Sequence, residues 1–304
     1  MIPSRSSAMK HVPLFITAAA VAAALLPVSS QESAPVVPAP PPPSPPAAAA
    51  TVPAFGQPMV YILCGSPGDE AHHTAFGKRL ASLRRWFTQR ADIPAADVRV
   101  YYGPESAGYS GTASRENVQK ICANTVAQTK AGRPVWFILT GHANDAPGDA
   151  RFNVPGGDLS GRELAGWLTG AAAGDGAAPL NVILATACSG RAVKHLAGPG
   201  RSIIAASNAT EGADETLFAD SLVELLERGD ADANKDGALS MTELFLGARA
   251  AVLAAYKNRG NILTEHAGLD GDGDGRATQR PAENDATAAA GPGHSLKLKS
   301  VSGS

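Results

Sequence analysis

The protein has 304 residues, 44% of them hydrophobic, and a formal net charge of −2. That length supports one substantial globular domain with flanking segments. The near-neutral balance, with no basic cluster, gives no footprint for nucleic acid or an anionic membrane surface as a partner.

The chain starts with a pattern of export. Arg5 and Lys10 supply positive charge, residues 12–28 ("VPLFITAAAVAAALLPV") are uncharged and mostly apolar, and "VSS" offers small residues for cleavage near Ser30. Residues 1–30 therefore read as a signal peptide, which places the mature protein in a secreted or periplasmic compartment. An uncleaved membrane anchor is the alternative, because the apolar run sits at the short limit for a span. Residues 31–57, including "APVVPAPPPPSPPAAAA", form a Pro/Ala-rich linker with too few apolar anchors for a core.

From residue 58 to 284, short apolar runs alternate with helical patterns. The runs are "MVYILC", "DVRVYY", "PVWFIL", "NVILAT" and "SIIAAS", and four of them lack the in-out alternation of a half-exposed strand. Such runs are expected of parallel strands covered on both faces. Helices are predicted near 70–90, 114–130, 160–171 and 190–197; Ser160 with Glu163 makes a capping box for the third. The fold class that follows is α/β, a three-layer sandwich with a mostly parallel central sheet. Of the three cysteines, Cys64 ends a strand pattern and Cys122 lies on an apolar helix face. Both read as core thiols, with a bridge between them left open.

Two strand tips carry chemistry-bearing residues. "RPVWFILTGHAN" ends on His142, and "NVILATACSG" ends on Cys188, 46 residues later. The carboxyl ends of parallel strands are where such sheets gather their chemistry. A thiol needs a base to become a thiolate at neutral pH, and imidazole is the usual one. Ala187, Ser189 and Gly190 are small enough to admit substrate backbone near the sulfur. No C-x-x-C or H-E-x-x-H spacing indicates zinc, and His72 and His73 read as helix-start surface residues beside the cleft.

Further on, "DANKDGALSMTE" (232–243) fits a twelve-residue calcium loop. Asp232, Asn234 and Asp236 hold positions one, three and five, and Gly237 gives the turn at six. The Ala238 carbonyl, Ser240 and bidentate Glu243 complete the set, with amphipathic helices on either side. An EF-hand-type loop between C-terminal helices, holding a structural Ca2+, is the expectation. A weaker loop follows at 270–281, with Asp270, Asp272 and Asp274 but Pro281 in the place of the final glutamate. Residues 285–304 read as a tail or an edge strand through "SLKLKSV".

The region from about Met59 to Lys257 resembles the legumain-like branch of the caspase-type cysteine peptidases. "WFILTGHA" and "VILATACSG" carry the resemblance, supported by "VYILCGSPGDEAHHTAFGKRL" and by "RFNVPGGDLSGRELAGWL", which is similar to the family's short hairpin and following helix. The resemblance implies Cys188 as nucleophile and His142 as general base and acid. It also implies an oxyanion hole from the backbone N–H groups of Cys188 and Ala143. Two positions depart from the family: Ala143 stands where glycine is usual, and Thr186 replaces the acid that helps read asparagine.

The function expected is an exported cysteine endopeptidase acting on polypeptides through an acyl-thioester. Two alternatives stand beside it: a peptide transferase or ligase with the same dyad, and a catalytically inactive, calcium-stabilised caspase-like binding module.

Overall fold

The computed structural model describes residues 55–299 apart from 106, 213 and 214. The signal peptide expected over 1–30, and the linker as far as residue 54, lie outside the described residues.

Five apolar runs become parallel strands: β1 (Met59–Cys64), β2 (Val98–Tyr102), β3 (Val135–Thr140), β7 (Leu180–Ala185) and β8 (Arg201–Ala205). With β10 (Gly268–Asp270) they form one sheet in the order β10-β8-β7-β3-β1-β2. β10 alone runs antiparallel, pairing Leu269 with Ile204. Every residue of β1, β3, β7 and β8 is buried, whereas β2, at the edge, exposes Arg99. The "DVRVYY" run alternates because only one of its faces is fully covered.

The pleat divides the core. Val60, Ile62, Trp136, Ile138 and Ile183 pack with Phe76, Leu80, Leu83 and Phe87 of α1 (Glu70–Gln89). The same side receives α5 (Phe218–Arg228) and α6 (Met241–Asn258). Tyr61, Leu63, Phe137, Val182 and Leu184 turn the other way, towards α2 (Arg115–Lys130), α3 (Gly161–Trp167) and α4 (Gly190–Leu196). Each large apolar side chain buried in these layers contributes about 1.5–3 kcal/mol. The result is helices on both faces of a mostly parallel sheet.

Cys64 belongs to the first layer and Cys122 to the second, so the sheet stands between them. Both are thiols, and burial pushes each up to about 12, which leaves them inert at neutral pH.

Two small sheets decorate the sandwich. β4 (Ala143–Ala146), β5 (Asp149–Phe152) and β6 (Leu159–Ser160) form an antiparallel set directly after the His142 tip. The capping box of α3 is present, with the Ser160 hydroxyl accepting from Glu163 N–H and Glu163 accepting from Ser160 N–H. β9 (Ala238–Ser240), inside the first acidic loop, pairs antiparallel with β11 (Ser295–Lys297). The "SLKLKSV" segment thus supplies a strand to the acidic loop and not to the central sheet. A short helix, α7 (Glu283–Ala288), precedes it.

Candidate functional site at the tips of β3 and β7

β3 and β7 pair in parallel up to Thr140 opposite Ala185. His142 and Ala187 each stand two residues beyond that pair, and Cys188 stands three beyond. Both His142 and Ala187 line a cavity of about 50 Å³, together with Phe76, Arg79, Gly141 and Ala143. That volume holds an ion and a few waters. Cys188 does not line it: the residue has no exposed surface and belongs to the core layer under α2, α3 and α4. Its φ is +55°, a left-handed conformation that a non-glycine residue adopts at some cost.

The small residues after Cys188 serve packing. A methyl group on Gly190 would meet the Ser207 carbonyl oxygen at 2.3 Å, so glycine is needed for the start of α4 to pass the end of β8. Ser189 is fully buried, and its hydroxyl accepts the Ser207 N–H at 3.2 Å. Thr186 is buried and donates to the Ala187 carbonyl at 3.1 Å. Ala143 is 4% exposed and is the first residue of β4, paired with Phe152 in extended backbone. Positive φ occurs instead one residue before the histidine, at Gly141 (φ 109°), whose Cβ would lie 3.0 Å from Gly65 N. This close crossing explains "TGH".

His142 is held on both sides. Its Nε2–H donates to the Pro67 carbonyl at 2.9 Å, and its Nδ1 lies 2.9 Å from Glu215 Oε1. The same carboxylate oxygen lies 3.1 Å from His72 Nε2. His72 Nδ1 in turn contacts Asp69 Oδ2 at 2.8 Å, while Asp69 Oδ1 accepts the His72 N–H as N-cap of α1. The two imidazole rings meet edge to face, with centroids 4.7 Å apart. Asp69 first, then Glu215, holds the His72 imidazole above its ordinary value by hydrogen bonding to the charged form. Arg79 borders the cleft, donating to Thr140 Oγ1 at 3.1 Å and pairing with Asp220 at 2.8 Å.

Glu215 and Asp69 carry this cluster and neither stands out in the sequence. Asp69 has one local signal, an acid three residues before a histidine at a helix start. Glu215 lies 143 residues after His72 in a loop without periodicity, and only the fold brings it in. His73 turns away to Glu105, 2.6 Å from its Nε2.

In the first acidic loop, Asp232 accepts from the Asp236 and Gly237 N–H groups, and Asn234 Oδ1 from Asp236 N–H. Asp236 Oδ1 accepts from Ala238 N–H, and Lys235 and Gly237 take positive φ. Glu243 reaches back with Oε1 to the Ala233 and Asn234 N–H groups, while Oε2 closes a capping box with Ser240. The side-chain oxygens named for calcium thus fold the loop by accepting its own N–H groups; among the described residues, Asp232, Asp236 and Glu243 are not one of the acidic groups whose oxygens converge. In the second loop Asp270, Asp272 and Asp285 bring oxygens within 4.8 Å of one another. Asp274 turns to the Arg276 N–H instead. Asp285 comes from α7, outside the twelve-residue pattern, so the pattern could not show it. Asp270 is fully buried, and burial raises it to about 6.

No family model matches the chain, and no curated protein does. Among solved structures, Raptor of Chaetomium thermophilum is similar at 14% identity and a TM-score of 0.39, over 58% of this chain and 18% of that one. drICE, a caspase, is similar at 10% identity and a TM-score of 0.35, over 68% of this chain and 90% of that one.

Proposed function

We propose that the chain is a caspase-like module that binds a polypeptide partner without hydrolysing it, stabilised by Ca2+ at 232–243 and acting after export. The observation that carries this reading is the position of the thiol. Acyl transfer needs a thiolate within reach of the histidine and open to substrate. At the His142 cleft that place belongs to Ala187, while Cys188 is sealed in the core layer behind it. The His142 nitrogens are turned to the Pro67 carbonyl and Glu215. Thr186, in place of the asparagine-reading acid, removes the family's specificity element as well.

A second reading keeps the cysteine endopeptidase, or the transferase with the same chemistry. One observation favours it: strained non-glycine backbone gathers at functional sites, and Cys188 has φ +55° at a strand tip. A shift of that turn would bring the thiol forward.

Treatment of the exported protein with a peptide electrophile separates the two. The binding module leaves Cys188 unlabelled and a peptide library uncut. Labelling of Cys188 that is lost in His142→Ala, together with turnover of the library, would establish the peptidase instead.

A further inference from the structure

The His72–Glu215–His142 cluster has a feature that hydrogen bonding explains poorly. Among the described residues, every hydrogen-bond partner of the two rings is an oxygen acceptor: the Asp69 carboxylate, the Pro67 carbonyl and the Glu215 carboxylate. Hydrogen bonds satisfy this arrangement only with a proton on every ring nitrogen or one on the shared carboxyl, with the rings 4.7 Å apart. One divalent cation satisfies it with both rings neutral. His72 Nε2, His142 Nδ1 and a Glu215 oxygen all lie within 4.8 Å of one another. The outer nitrogens are already fixed, His72 Nδ1 on a carboxylate and His142 Nε2 on a carbonyl. Metal-binding histidines are oriented in this way by the hydrogen bond of the other ring nitrogen.

We propose that the cleft is a three-ligand site for a zinc-class divalent cation, held by His72 Nε2, His142 Nδ1 and the Glu215 carboxylate. Two imidazoles and one carboxylate suit that class of ion, and three protein ligands leave a fourth position open to water or a ligand oxygen. Glu215 Oε1 lies 2.9 and 3.1 Å from the two nitrogens. A tetrahedral ion with bonds of about 2.0–2.1 Å needs ligand separations of roughly 3.3 Å, a shift of a few tenths of an ångström for these two carboxylate–nitrogen pairs. Glu215 is 63% exposed, so its side chain has the room to make it. Arg79, the one Lys or Arg bordering the cleft among the described residues, is paired with Asp220. The site is independent of the binding-module reading, because neither Cys188 nor peptide turnover enters it.

The test is titration of the full chain with Zn2+ in competition with a chromophoric chelator, with Ca2+ saturating throughout so that the acidic loops do not contribute. One zinc per chain is expected. His72→Ala, His142→Gln and Glu215→Gln should each weaken binding more than tenfold, and Asp69→Asn, which only orients His72, by about 10–100-fold. His73→Ala, on the same helix, should leave it unchanged. Co2+ in place of zinc should give the intense visible absorption of a four-coordinate ion in the wild type and lose it in His142→Gln. Circular dichroism checks that each variant keeps its fold. No saturable zinc binding, or equal binding in the wild type and all three ligand variants, overturns the site.

Discussion

Asn181 and His294 are joined by a 2.6 Å hydrogen bond across the start of β7, His294 Nδ1–H donating to the Asn181 side-chain oxygen while Asn181 Nδ2 donates to the Gly293 carbonyl at 2.9 Å. His294 is 8% exposed, and burial lowers its pKa to about 4 against an unfolded value near 6.5. The depressed value means that the folded protein holds the ring neutral while the unfolded chain takes up a proton. The stability this contributes is complete above pH 6.5 and is lost as pH falls towards 4, by roughly 3 kcal/mol in all. Urea midpoints between pH 7 and 4 should therefore fall more steeply in the wild type than in His294→Gln. Equal slopes would show that this histidine is not the acid-sensitive clasp between the C-terminal segment and the sheet.

The thiol geometry predicts an inversion of reactivity. Native Cys188 should resist a small alkylating reagent until the protein unfolds, because a thiol with no exposed surface does not meet the reagent. Moving the thiol forward by one residue, in Ala187→Cys with Cys188→Ala, should place sulfur in the His142 cleft and raise the alkylation rate by at least tenfold. Timed labelling followed by mass spectrometry reads this directly. A wild-type rate equal to that of the shifted variant would refute the placement.

Arg201 is buried with its guanidinium spread over backbone carbonyls, donating to Leu196 O at 2.6 Å and Leu168 O at 2.7 Å, with Ala171 O at 3.4 Å. It therefore closes the C-terminal ends of α3 and α4 against β8, where a cation also suits the helix dipoles. Arg201→Met should strand these carbonyls and destabilise the fold by about 3 kcal/mol. Arg201→Lys, which has a point charge in place of a fork, should recover only part of the loss. Denaturant curves of the three proteins decide the matter, and coincident midpoints would rule the clasp out.

The central sheet was legible because parallel strands buried on both faces leave continuous apolar runs. β1, β3, β7 and β8 fall within a residue or two of "MVYILC", "PVWFIL", "NVILAT" and "SIIAAS". β9, β10 and β11 are three residues each, too short for any period to show, and they owe their pairing to neighbours already in place. The strand-tip pattern singled out His142, which lines the cavity, but adjacency in sequence cannot decide which of Ala187 and Cys188 faces it. That depends on the register of Thr140 with Ala185 and on a left-handed turn at 188. Glu215 and Asp285 arrive from distant loops, and no local pattern marks them.

Calcium at 232–243 can be tested at Glu243, whose Oε1 also accepts from the Ala233 and Asn234 N–H groups of the loop. As the third residue of α6 it closes the capping box with Ser240; as the twelfth residue of the loop it would give the ion two oxygens. Glutamine fills a capping box as glutamate does but lacks the charge. With one acceptor oxygen in place of two, Glu243→Gln keeps the cap but loses the loop N–H contacts, so it should melt somewhat below the wild type in chelator and fail to gain from calcium. The wild type should rise with calcium because an ion bound only by the folded state adds RT ln(1 + [Ca2+]/Kd), about 2.7 kcal/mol at a hundredfold excess. Ser240→Ala removes the cap and should cost about 1 kcal/mol in chelator. Differential scanning calorimetry of the three proteins resolves both roles. A wild-type melting temperature indifferent to calcium would eliminate the site, and a Glu243→Gln protein that gains from calcium as the wild type does would take Glu243 out of it.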